Sequence, residues 1–105
     1  MTTLEVLPRP TWAGEVATRL VAAVAGHPTL TLCLPTGATP RPVYHAAAAQ
    51  GLDLSRATVV QLDEFGGLPP GDPGRCDTML RVDLFERLTA PPGRSLRLDP
   101  DAADL

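Results

Sequence analysis

A run of alternating apolar residues that passes through a glycine turn directly into a helix constrains this chain more than any other feature. Leu30, Leu32 and Leu34 alternate with Thr31 and Cys33. The second face of that run is itself only weakly polar, which predicts a strand buried on both sides. Pro35-Thr36-Gly37-Ala38-Thr39-Pro40 follows, and then a helical stretch that reaches Gln50 and stops at Gly51. Glycine just past the last helical residue is a common terminator, and the run Ala46 to Ala49 favours helix by propensity alone.

The same alternation of elements extends in both directions. Leu4 to Leu7 reads as a short strand stopped by Pro8 and Pro10, and Thr11 offers a hydroxyl to cap a helix running to about Ala25. In that helix Val16, Leu20, Ala23 and Val24 form the apolar stripe, and Gly26 and Pro28 end it. Ala57 to Leu62, with Thr58, Val59 and Val60 at its centre, is the third strand. Leu80, Leu84 and Leu88, joined by Phe85, mark a third helix that finishes before Pro91 and Pro92, and Ser95 to Leu98 opens a fourth strand. Strand and helix in strict alternation specify an α/β fold, an open, mostly parallel sheet linked by right-handed crossovers. The ending from Asp99 to Leu105 is polar and is expected to fray.

Composition excludes several partners. With 105 residues the chain holds one domain at most, and its 12 acidic and 9 basic residues are scattered through both halves. No basic stripe is present to neutralise nucleic-acid phosphates. No stretch approaches the ~18 uninterrupted apolar residues of a membrane span, and residues 1–10 do not have the pattern of a secretion signal, so a cytoplasmic location is expected. Cys33 and Cys76 are too far apart for a CxxC or zinc motif and are expected to stay reduced. Neither a metal nor a cofactor is implied.

In open parallel sheets ligands bind beyond the carboxyl ends of the strands, which directs attention to two loops. The first, Leu34 to Pro40, uses small residues that let backbone N–H groups approach an anion at a helix N-terminus, and Thr36 and Thr39 add hydroxyls. The same residues fit a plain helix start, with Thr39 as cap and Pro40 in the first turn. The second loop begins Leu62-Asp63-Glu64-Phe65-Gly66-Gly67-Leu68 and sets two adjacent carboxylates at the end of an apolar strand. Strand alternation sends Asp63 and Glu64 to opposite sides, so they cannot share a proton. A lone, partly desolvated Asp63 suits a general base. The alternative is an Asp capping a turn, with Glu64 solvated.

Together these two segments resemble the family containing glucosamine-6-phosphate deaminase and 6-phosphogluconolactonase, whose deaminases carry the closely similar segments LPTGGTP and DEYVGL. The similarity runs from the first helix through Asp101. It implies a Rossmann-like sheet with helices on both faces and, because family members continue through a Gly-rich segment bearing a catalytic His, a domain left incomplete at residue 105. It further implies that Thr36, Gly37, Ala38 and Thr39 hold the phosphate of a sugar phosphate and that Asp63 is the catalytic base, moving a proton between C2 and C1 of the opened sugar. The function so implied is the sugar-phosphate-binding portion of a deaminase-like enzyme, inactive alone. A lactonase-like hydrolase portion and a non-catalytic phosphate-binding module are the alternatives. The expected partners are a phosphorylated sugar and either a second copy of the chain or a complementary C-terminal half.

The chain departs from the family pattern at several positions. Ala38 replaces a Gly, Gly66 replaces a Val, and Arg75-Cys76 stands where the family has a Ser followed by an aromatic residue. Phe65 stands where the lactonases carry an Arg. Arg75 is expected to be a solvated loop residue, and His27 and His45 to be ordinary surface or packing residues.

Overall fold

A computed structural model describes residues 3–99. Helix α1 (Trp12–Gly26) leads into strand β1 (Thr31–Leu34), helix α2 (Arg41–Ala49) and strand β2 (Thr58–Gln61). Helix α3 (Cys76–Asp83), a 3-10 turn over Phe85–Arg87 and strand β3 (Arg94–Leu96) complete the described elements. The three strands form one parallel sheet in the order β1-β2-β3, with Leu32 opposite Val59, Leu34 opposite Gln61 and Val60 opposite Leu96. The open parallel α/β architecture is therefore the one the alternating pattern specifies.

Residues paired in register share a face, so Leu32, Leu34, Val59 and Gln61 lie on one side of the sheet and Thr31, Cys33, Thr58 and Val60 on the other. Leu34 and Val59 join a core built from Ala17 and Val24 of α1, Val43, Tyr44 and Ala47 of α2, and Leu80 and Leu84. The opposite face is different. Thr31 and Cys33 are exposed, so β1 is not buried on both sides as its pattern predicts. Among the described residues the packed core forms on one face only.

Helix α1 packs on α2, which in turn packs on α3. The contact between the first two runs through small side chains: Ala17 and Ala47 are both fully buried. Small residues at a crossing let helices approach closely. This choice rotates α1 away from its expected stripe. Ala13, Ala17, Leu20, Val21 and Val24 face the core, while Val16 stays 37% exposed.

Other boundaries shift for local reasons. Residues 3–7 take no regular structure, and Leu4 and Val6 are solvent-exposed, because no strand lies beside them to pair with. Thr11 makes no side-chain cap on α1. The third helix stops at Asp83 rather than reaching Leu88, since Leu84 leaves helical geometry (φ −129°, ψ −63°) as its side chain enters the core. The last strand starts one residue early, at Arg94. It is led in by Gly93, whose N–H donates to the Leu54 carbonyl at 2.9 Å. A β-carbon there would sit 2.7 Å from the Ser55 carbonyl oxygen, so only glycine lets the two backbones pass. Residues 100–105, including most of the polar ending expected to fray, lie outside the described part.

Candidate functional site

The carboxyl ends of β1 and β2 bring the two loops together over the start of α3. After Leu34 the chain turns through Gly37, whose φ of +108° favours glycine. Thr36 and Gly37 are half-buried, whereas Ala38 and Thr39 are exposed. Helix α2 then begins without a side-chain cap, so Thr39 does not cap it. Pro40 and Pro42 have no N–H, which leaves Gly37, Ala38, Thr39, Arg41 and Val43 as the backbone donors of the turn and first helical residues. Tyr44 anchors this loop from below, its hydroxyl donating to the Pro35 carbonyl oxygen. Burial, with smaller effects from Asp83 and Cys33, pushes the Tyr44 phenol up from its ordinary value, so it stays a neutral donor.

At the second loop the two carboxylates have different fates. Strand β2 ends at Gln61, so strict alternation does not extend to Asp63 and Glu64. Both instead converge on Cys76: Asp63 Oδ1 lies 3.8 Å from its Sγ, and Glu64 Oε1 accepts its backbone N–H at 2.6 Å. Asp63 is exposed, and Glu64 is the buried one, its side chain 1% accessible. This reverses the expectation of a desolvated Asp63 beside a solvated Glu64.

Glu64 is held by a shell of donors. Its Oε2 accepts the Asp77 N–H at 3.0 Å and the Gln61 amide at 2.7 Å, and its Oε1 also accepts the Phe65 N–H at 2.9 Å. Burial pushes this carboxyl up, but the three backbone N–H groups and the Gln61 amide outweigh it and hold the group down at about 2. Glu64 is thus an ionised cap on the N-terminus of α3, where a negative charge complements the helix dipole.

Arg75 is also inside rather than solvated, only 6% exposed. Its Nη1 donates to the Leu68 carbonyl at 3.0 Å, its Nε donates to Asp77 Oδ1 at 3.2 Å, and it lies 3.8 Å from Glu64 Oε2. A buried arginine between two carboxylates ties the long loop from Phe65 to Gly74 against α3. Sequence reasoning missed both Glu64 and Arg75. The available signal was the acidic residue preceding a helix start by a loop's length, but nothing in the spacing shows that the loop folds back.

Cys76 completes the junction. Burial pushes its thiol up, the Thr36 hydroxyl partly offsets this by a hydrogen bond, and the charges of Glu64 and Asp63 push it up further. A buried, protonated thiol is a poor nucleophile. Its structural consequence is a continuous contact from Thr36 through Cys76 to Asp63, linking the two motifs in space. The histidines stand apart from this junction. His27 is exposed after α1, and His45 Nε2 lies 3.9 Å from Asp83, which pairs with Arg41 at 3.1 Å. No group of three or more His, Cys, Asp or Glu among the described residues could hold a metal ion, and no described helix is long and apolar enough to cross a membrane.

Comparison with known proteins gives this geometry a context. Residues 10–105 match the sequence profile of the glucosamine-6-phosphate isomerases/6-phosphogluconolactonase family. The chain is 38% identical to a glucosamine-6-phosphate deaminase of Streptomyces avermitilis over 88 residues, covering 79% of this chain and 34% of the relative. It is 34% identical to the glucosamine-6-phosphate deaminase of an Arthrobacter species over 105 residues, covering 95% of this chain and 40% of that protein. Among solved structures, a monomeric glucosamine-6-phosphate deaminase superposes with a TM-score of 0.84 at 25% identity, over all of this chain and 45% of that one. The fold also matches a 6-phosphogluconolactonase of Thermotoga maritima, with a TM-score of 0.72 at 22% identity, over 96% of this chain and 46% of that one. The chain spans well under half the length of the curated relatives it matches. Profile, relatives and fold agree, and the chain belongs to the family of glucosamine-6-phosphate isomerases and 6-phosphogluconolactonases.

Proposed function

We propose that this chain is the sugar-phosphate-binding portion of a glucosamine-6-phosphate deaminase-like enzyme, with the loop Thr36 to Thr39 holding the phosphate and Asp63 serving as the base. The observation that carries this reading is the junction at Cys76, which sets the glycine loop and an exposed carboxylate side by side at the strand ends. Asp63 is free of the capping work that Glu64 performs, and its exposure leaves it accessible to a substrate carbon. The role is proton transfer between C2 and C1 of the opened amino sugar, giving a ketose imine whose hydrolysis releases ammonia. A base alone neither opens the ring nor activates water, so the chain by itself is expected to bind without turning over.

Titration of glucosamine 6-phosphate and free glucosamine into isotope-labelled chain tests the reading. Backbone amide signals of Gly37 to Thr39 are expected to shift with the phosphorylated sugar only, since N–H donors at a helix start bind phosphate without further groups. Equal responses to both sugars would remove the phosphate site. Steady-state turnover by the chain alone that disappears in Asp63→Asn would remove the claim that it is inactive by itself.

A further inference from the structure

We infer that the free edge of β1, with the apolar groove above it, is the docking surface for a parallel strand from the remaining part of the family fold. Backbone hydrogen bonds fix which way β1 faces. The Leu30 and Leu34 carbonyls accept N–H groups of Thr58 and Leu62, so these residues point to β2. Thr31 and Cys33, offset by one, turn their N–H and C=O to the side where no strand is paired.

The helices leave space on the same side. Their order α1, α2, α3 follows the sheet order, so α1 overhangs the open flank of β1. Between α1, α2 and the end of β1 lies a groove of about 490 Å³, lined by Trp12, Val16, Leu20, Leu34, Val43 and Tyr44. Trp12, Val16 and Leu20 recur at i, i+4 and i+8, a second apolar stripe on α1 beside the one that packs on α2. Side chains from one face of a strand laid along β1 would enter this groove. The other face of such a strand would extend the uncovered side that carries Thr31 and Cys33.

Two observations select the occupant. All-parallel sheets are stable almost only with both faces covered, and here one face is bare. The relatives also carry more than half of their length outside the segment this chain matches, enough to supply further strands and the missing layer of helices. In doubly wound sheets laid out in the order 3-2-1, the next strand joins beside the first, and the ligand crevice opens at that switch point. The groove reaches Thr36 and Thr39, so the incoming strand would close the open side of the loop. Association is measured without substrate, so it stands or falls separately from the sugar-phosphate reading.

The test mixes the 105-residue chain with a separately expressed polypeptide holding the part of the Streptomyces avermitilis deaminase outside the matched segment. The expected result is a one-to-one complex by size-exclusion chromatography with light scattering, in which amide exchange at Thr31 and Cys33 slows at least about tenfold. Cys33→Pro removes an edge N–H where proline is tolerated in an unpaired strand, and Val16→Lys puts a charge into the groove from an exposed position. Each is expected to leave the thermal unfolding of the chain alone nearly unchanged while weakening the complex at least about tenfold. If Cys33→Pro does not fold, Val16→Lys decides. Absence of a complex, a homodimer through β1, protection at β3 in place of β1, or a complex indifferent to the folded variants would each overturn the inference.

Discussion

Glu64 caps the helix that begins at Cys76, its Oε1 accepting the Cys76 backbone N–H at 2.6 Å from twelve residues away in sequence. The cap fixes the start of α3 and, through the adjacent residue, the position of Asp63 beside the Cys76 thiol. Because the folded chain holds the Glu64 carboxyl at about 2 against an ordinary 4.5, its contribution to stability is fully present above pH 4.5 and is lost as pH falls through 2. The shift corresponds to about 3 kcal/mol. Acid titration of urea unfolding should show a steep loss of stability across that window, and Glu64→Gln should be less stable at pH 7 with a flatter profile. An unchanged slope in the variant would show that other carboxylates carry the acid sensitivity.

How far the sequence disclosed this arrangement depends on the range of the interaction involved. The strands were legible because Leu30, Leu32, Leu34 and the Thr58 to Val60 cluster announce themselves by local alternation, and the loops because Gly37 and Asp63 sit where strands end. The bare face of β1 was not, since Thr31 and Cys33 are neutral enough to suit either burial or exposure. The roles of Asp63 and Glu64 were exchanged for a different reason. Which adjacent carboxylate is buried depends on where α3 starts, and that is set by the fold-back of the whole Gly/Pro-rich loop. Arg75 belongs to the same case, since its partners Leu68 and Glu64 lie across that loop.

Tyr44 ties α2 to the loop after β1, and removing its hydroxyl should loosen that loop without emptying the core. Tyr44→Phe keeps the ring, which is buried, and deletes only the donor to the Pro35 carbonyl. The expected cost is about 1–2 kcal/mol, together with faster amide exchange at Thr36 and Gly37. Thermal unfolding and exchange mass spectrometry measure the two effects. A stability loss with no change in loop exchange would mean that the hydrogen bond does not order the loop.

Gly93 permits β3 to enter beside the turn after Leu54. Gly93→Ala places a methyl carbon 2.7 Å from the Ser55 carbonyl oxygen and 3.1 Å from that of Ala57, both backbone atoms that move only with their chain. The expected loss is about 1–3 kcal/mol, with β3 fraying first because it is the shortest strand and lies at an edge. Exchange at Arg94 to Leu96 that stays at the original rate in the variant would argue against this order of events.

The last prediction separates the proposed base from the proposed phosphate loop in a complete domain, made by joining residues 1–105 to the remaining part of a related deaminase. Asp63 is exposed, and its resolved contact is with the Cys76 thiol, so Asp63→Asn should change stability by less than about 0.5 kcal/mol. The amide keeps the size of the carboxylate but cannot accept a proton. General-base catalysis contributes ~10²- to 10⁴-fold, so kcat should fall by that order while KM stays nearly constant. Thr39→Val should act in the opposite sense. Its exposed hydroxyl does not cap α2, so the helix loses nothing. A phosphate remote from the reacting carbons is held alike in ground and transition states, so KM should rise with kcat little changed. Steady-state kinetics on both variants, with circular dichroism to confirm folding, decides the assignment. If Asp63→Asn retained its kcat, the base would have to be sought elsewhere, and Asp63 would be a turn residue whose place beside Cys76 serves only the packing of the two loops.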